Sequence, residues 1–247
     1  MYLPFDVLLV IGIVGFYIYD STHLYFYNEF NIYKGFKTTF KSQLISRKFN
    51  FYRQYLVIFN LLLPHQLIFK CAWTFKDTHS TIHAIEIEHI RKISLILKPL
   101  QVINILIFLL TLAILPFLLI YKADYVAISI TLVMIYGLNL FSIFFVMFKR
   151  KNLQLSWFKT TQLLLDVLLC PPFAVNLLRK ISLNYQIKTE GILLASQILD
   201  QKHYQHVLDE VLLDIQTLKT ASNEKHVIQL ELRERQLQSL KYKIENK

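Results

Sequence analysis

The stretch PLQVINILIFLLTLAILPFLLIY, residues 99–121, has 23 residues and no charge, and YVAISITLVMIYGLNLFSIFFVMF, residues 125–148, has 24 and none. At about 1.5 Å of rise per residue, either helix covers a hydrocarbon core of roughly 30 Å. Between them stand only Lys122, Ala123 and Asp124, one cation balanced by one anion. Two such windows joined by so short a turn predict an antiparallel pair of transmembrane helices, and they decide the class: a mainly α membrane protein.

The composition agrees. The chain is 54% hydrophobic and 18% charged, with a mean hydropathy of +0.40, too apolar for an ordinary soluble domain. A net charge of +10 would suit nucleic acid, but it is unevenly placed: residues 1–188 carry 19 Lys and Arg against 8 Asp and Glu, and residues 189–247 carry 8 against 9. The positive excess lies beside the apolar windows, where anionic headgroups attract it. The expected partner is therefore a bilayer with anionic headgroups, not nucleic acid. Cys71 and Cys170 are far apart and suggest no disulfide framework, which fits a reducing compartment. Among five glycines no phosphate-cradling loop appears, and neither His-Glu-x-x-His nor a nucleophile elbow is present. No cofactor is indicated and catalysis has no positive support.

Residues 1–19 are apolar apart from Asp6 and lack both a basic leader and a small-residue cleavage site, so they read as a retained first transmembrane helix. The cations Lys34, Lys37, Lys41, Arg47, Lys48 and Arg53 follow it, which places its amino terminus outside. The same rule puts Arg91, Lys92 and Lys98, before the second span, and Lys149 to Lys151, after the third, inside. Three spans with a cytoplasmic carboxy terminus result. Gln54 to Phe69 is uncharged, but as a helix it would extend only about 24 Å, with Pro64 and His65 at its centre. Leu67, Phe69, Cys71, Trp73 and Phe75 share one parity. Residues 20–78 are therefore expected to form a small cytoplasmic β-rich unit, followed by a juxtamembrane helix over 79–98.

Thr161 to Leu178 is apolar but contains Asp166 and the pair Pro171-Pro172, which should break a helix after about Leu169. If it crossed, Arg179, Lys180 and Lys188 would lie outside, so residues 160–182 are expected to be a broken interfacial or re-entrant helix. Asp166 must then find a cation such as Arg179 or Lys159, protonate, or face water. Asp166, Cys170, Pro171, Pro172, Asn176 and Arg179 form the candidate functional motif. The run Cys170-Pro171-Pro172-Phe173-Ala174-Val175-Asn176, with Arg179 and Ser182, resembles a stretch of uncharacterised proteobacterial inner-membrane proteins. Asp20, Asn28-Glu29, Asn60 and Pro64 match further parts of that pattern. The resemblance touches about a third of the chain and implies a bacterial inner-membrane location and multi-pass topology. It implies no activity.

Within the spans, Thr111 and Asn139 share a depth and suggest an interhelical hydrogen bond, with Gly137 allowing close approach and Pro116 kinking the second span. Two clusters could hold a metal. His79, His83 and Glu86 fall on one helical face, and Glu86 with His89 has half of a di-metal spacing; His203, His206, Glu210 and Asp214, with Asp209 nearby, form a stripe on the tail. Polar residues on a solvated helical surface are the favoured reading of both.

Residues 189–247 turn to Leu, Gln, Glu and Lys without proline, which predicts two long tail helices with a break at Thr220 to Asn223. In the second, Leu230, Leu237, Leu240 and Ile244 suggest a coiled-coil seam that Arg233 interrupts. The seam would serve either for packing within the tail or for a protein partner or self-association. The leading expectation is a non-catalytic, membrane-anchored docking or assembly platform. The alternatives are a subunit of an oligomeric transporter or channel, built around Asp166 and the broken helix, and a metal-dependent membrane enzyme.

Overall fold

The computed structural model describes residues 4–37, 39–43, 49–51, 54–74, 84–221 and 224–245. In chain order the elements are α1 (Phe5–Asp20), β1 (Thr22–Tyr25), β2 (Glu29–Lys34), β3 (Lys41–Gln43), β4 (Asn50–Phe51), β5 (Gln54–Ile58), β6 (Leu67–Ala72), α2 (Ala84–Ile96) and α3 (Lys98–Leu109). A π-helical segment (Leu110–Ile114) leads into α4 (Leu115–Ile120), and α5 (Tyr125–Lys149), α6 (Trp157–Leu169), α7 (Pro171–Ala174), α8 (Leu177–Leu183), α9 (Gly191–Ile198), α10 (Gln201–Ala221) and α11 (Glu224–Glu245) follow. The fold is mainly helical with a small β unit. It divides into two compact units, one of Met1–His23, Ile58–Leu67 and Lys92–Tyr185, the other of Leu24–Val57, Ile68–Arg91 and Gln186–Lys247.

In the first unit, Lys98–Ile120 and Tyr125–Lys149 are each long and apolar enough to cross a membrane, and only 33% of each apolar window is buried, whereas the core helix of a soluble protein would be mostly covered. Leu106, Val133, Phe141 and Phe144 are among the side chains they expose. Pro116 has no N–H and its ring would press on the carbonyl of residue 112; the wider π turn before it absorbs that conflict without breaking the span. Three spans were expected; among the described residues two helices meet the length. The third candidate, α1, has 16 residues, about 24 Å. It stops at Ser21, whose hydroxyl donates to the Tyr17 carbonyl at 2.8 Å. Leu110, Leu115 and Ile135 form the bundle core, with Ile13, Leu119, Ile128 and Leu138 packed around them. The break after Leu169 falls where Pro171 and Pro172 demand it, and they open α7 at positions that need no N–H. A Cβ on Gly137 would meet nothing within 4 Å, so the expected close helix approach there is not made.

In the second unit the alternating run after Pro64 becomes β6, whose Leu67, Ile68, Phe69 and Cys71 are buried. Gln54 to Phe69 is thus strand, turn and strand, not a span. Two three-stranded sheets form, ordered β1-β5-β4 and β3-β2-β6. Strand β2 runs antiparallel to β3, with Ile32 opposite Ser42. The tail helices α10 and α11 pack on each other, and Val207, Leu208, Val211 and Ile215 of the first and Leu230 and Leu237 of the second are buried. The seam is therefore used inside the tail.

Candidate functional site

The most extensive buried polar cluster among the described residues surrounds Arg179, which is 1% exposed in the first unit. Apolar neighbours Leu177, Leu178 and Ile181 bury α8 and take Arg179 with them. A guanidinium so placed must be satisfied by oxygens. One terminal nitrogen donates to the Asn60 and Leu63 carbonyls at 2.5 and 2.8 Å, and the other to Asn176 Oδ1 at 3.1 Å. The Phe59 ring lies 5.7 Å from the charge, within cation–π range. The loop supplying those carbonyls is held in turn: Tyr17 donates to the Leu61 carbonyl at 2.6 Å, and Gln101 to that of His65 at 3.0 Å. Asn176 Nδ2 donates to Ser21 Oγ at 2.9 Å, and Asn104 Nδ2 to the Val175 carbonyl at 2.8 Å.

Beside this cluster Lys180 bridges two acids, reaching Asp20 at 2.7 Å and Asp166 at 3.6 Å, with its ammonium 4.6 Å from the Phe173 ring. For Asp166 a cation such as Arg179 or Lys159, protonation and exposure to water were all open. Asp166 pairs with Lys180 because Arg179 already faces the loop carbonyls. Of the predicted motif, Asp166, Asn176 and Arg179 join this network, Pro171 and Pro172 shape the turn before it, and Cys170 is a free, half-buried thiol. Sequence reasoning did not assign Tyr17, Ser21, Leu63 or Lys180 to the site; the available signal was an arginine and a lysine adjacent to each other within an apolar run.

Thr111 and Asn139 are both fully buried, but neither Thr111 Oγ1 nor either amide atom of Asn139 has a hydrogen-bond partner among the described residues, so the expected bond between them is not formed. Thr111 lies in the π segment.

The metal candidates do not converge: among the described residues no group of three or more His, Cys, Asp or Glu could hold an ion. His79 and His83 lie outside the described residues. Glu86 is buried and its carboxylate accepts from the backbone N–H groups of Lys188 and Thr189, each at 2.8 Å, and from the Thr189 hydroxyl. His89 is half-buried on the same helix. On the tail His203 is half-buried and begins α10 by donating its backbone N–H to Asp200 at 2.8 Å. His206 is exposed and Glu210 half-buried, and Asp209 is paired with Lys241 at 2.6 Å. Arg233, which interrupts the seam, is buried against Glu190 at 2.9 Å. Glu190 also caps α9, accepting from the Leu193 N–H at 2.9 Å. Desolvation pushes the Glu190 carboxyl above the usual range, against the pull of the Leu193 N–H and Arg233. Burial likewise drives the Cys71 thiol far up, reinforced by Glu190 and Glu86.

Comparison of the chain with protein-family models, with curated proteins and with solved structures finds no match.

Proposed function

We propose that this protein is a multi-pass resident of a bacterial inner membrane, with α1, α3–α4 and α5 as three passes, and that its second unit is a cytoplasmic docking or assembly platform without catalytic activity. One observation carries the non-catalytic part. Among the described residues, the buried ionisable groups Arg179, Glu86 and Glu190 are committed to structural bonds: Arg179 to loop carbonyls, Glu86 to the backbone of Lys188 and Thr189, and Glu190 to Arg233. A general acid, base or ligand needs a free face toward substrate. The platform reading is tested by crosslinking the full-length protein in cells: repeated recovery of one partner, or of a second copy, through α10 and α11 supports it, and recovery of neither removes its basis.

A second reading, a subunit of an oligomeric transporter or channel, draws on Lys180 held between Asp20 and half-exposed Asp166. Asp166→Asn should then abolish flux in reconstituted vesicles while leaving insertion unchanged.

A further inference from the structure

We propose that residues 156–185 form a hairpin that dips into one leaflet and leaves on the side it entered, with α6 facing the acyl chains and Arg150 facing anionic headgroups at its mouth. This deepens the membrane reading above and rests on it.

The return path is fixed by partners along α1 and α3. Phe173 packs edge-on against Phe16 with ring centres 6.0 Å apart, Asn176 then meets Ser21, and Lys180 meets Asp20. The chain therefore runs back toward the carboxy end of α1 after its tip. Val175 is held by Asn104, six residues into α3, or about 9 Å from Lys98. Arg179 then joins the loop that Gln101 also binds, at the same end of the bundle. The tip, α7, packs against α1, α3, the π segment and α5.

The outgoing arm has the matching surface. Helix α6 buries Thr160, Leu163 and Val167 against the bundle. Trp157, Leu168, Leu165, Phe158 and Leu169 fall within an arc of about 120° on its other side. Phe158 and Leu169 are each 81% exposed, a face that water does not tolerate as a contiguous patch but acyl chains do. The two ends differ. At the start, Arg150 lies 4.0 Å over the Trp157 ring between Lys149 and Lys151, the pairing of aromatic ring and cation that suits the headgroup level. The far end carries Leu165, Leu168 and Leu169 on that face, while Asp166 among them turns to Lys180 on the returning arm at 3.6 Å. Ser156 caps the helix by accepting from the Lys159 N–H at 3.2 Å, so α6 begins at that level and its 13 residues reach about 20 Å.

The test uses the full-length protein in nanodiscs of phosphatidylcholine and phosphatidylglycerol whose acyl chains are brominated near the headgroup or near the midplane. Single tryptophans are placed by Phe158→Trp, Leu169→Trp and, as a reference on α5, Phe141→Trp, with Trp73→Phe and Trp157→Phe in the background. The expected result is loss of emission at 158 mainly with shallow bromines and at 169 mainly with deep ones. Shallow quenching at both positions overturns the hairpin in favour of a helix lying flat. In sealed, uniformly oriented vesicles, impermeant maleimide reaching Asn152→Cys and Asn184→Cys from opposite faces, in a Cys71→Ala/Cys170→Ala background, overturns it in favour of a full crossing. No quenching at 141 by any lipid sinks membrane residence itself. With bromine on phosphatidylglycerol alone, quenching at 158 should exceed its mole fraction, and Arg150→Gln should remove the excess; no excess in the parent protein overturns the headgroup assignment.

Discussion

Replacing Arg179 by methionine keeps much of the side-chain volume and removes the charge and every donor. Three charge-assisted hydrogen bonds disappear, to Asn60 O, Leu63 O and Asn176 Oδ1. The two carbonyls stay behind in a site that is 1% exposed at Arg179, each costing about 1–3 kcal/mol when orphaned. The change is offset in part because a buried guanidinium no longer has to be desolvated. The net expectation is a loss of about 3–5 kcal/mol, the range for breaking a buried charged network from one side. At about 2–4 °C per kcal/mol for a chain of this size, the midpoint should fall by roughly 6–20 °C. Arg179→Lys separates charge from shape: an ammonium keeps the cation but cannot present the planar fork that spans two carbonyls and an amide, so it should recover only part of the loss. Thermal unfolding in nanodiscs, followed by near-ultraviolet circular dichroism, measures all three. A methionine variant melting with the parent protein would show that the loop and α8 are held by other contacts and that the cluster is incidental.

Other outcomes follow from the second unit. A Cβ on Gly191 would lie 2.7 Å from the Ala72 carbonyl oxygen and 2.9 Å from the Phe30 ring, so Gly191→Ala should cost about 1–3 kcal/mol despite its better helix propensity, read as a lower urea midpoint. Glu86→Gln replaces one acceptor by a donor facing N–H groups, and should destabilise by about 2–4 kcal/mol and speed hydrogen exchange at Thr189. The raised Glu190 carboxyl gives stability that is full below the unfolded Glu pKa and is lost as pH rises through the native value; Glu190→Gln should flatten that part of a pH series of unfolding, and an unchanged slope would refute the assignment. Cys71, neutral and buried, should resist maleimide at pH 8 until the protein unfolds, whereas uptake by the folded protein would contradict its burial.

Much of the architecture was legible because its causes are local. Uncharged length marked Lys98–Ile120 and Tyr125–Lys149, alternating parity marked β6, and Pro171-Pro172 marked the end of α6. The site was only half legible. Asp166, Asn176 and Arg179 stood out as polar residues in an apolar run, but Lys180 was not recognised as the partner of Asp166, and Arg233 read as a defect in a seam until Glu190 was found facing it. Thr111 and Asn139 were aligned by counting residues, which gives depth along a helix but not which neighbour a side chain meets.

The sequence by itself determined which segments are apolar enough for a bilayer, which alternate as strands and where prolines forbid a helix, since each depends on residues within a few positions of one another. Tertiary structure alone decided that Lys180 draws Asp20 and Asp166 together, that Arg179 grips a loop 116–119 residues away, and that Glu86 holds a backbone 102–103 residues distant. Such pairings depend on the packing of whole elements, and a buried charge accepts whichever oxygens that packing brings within reach.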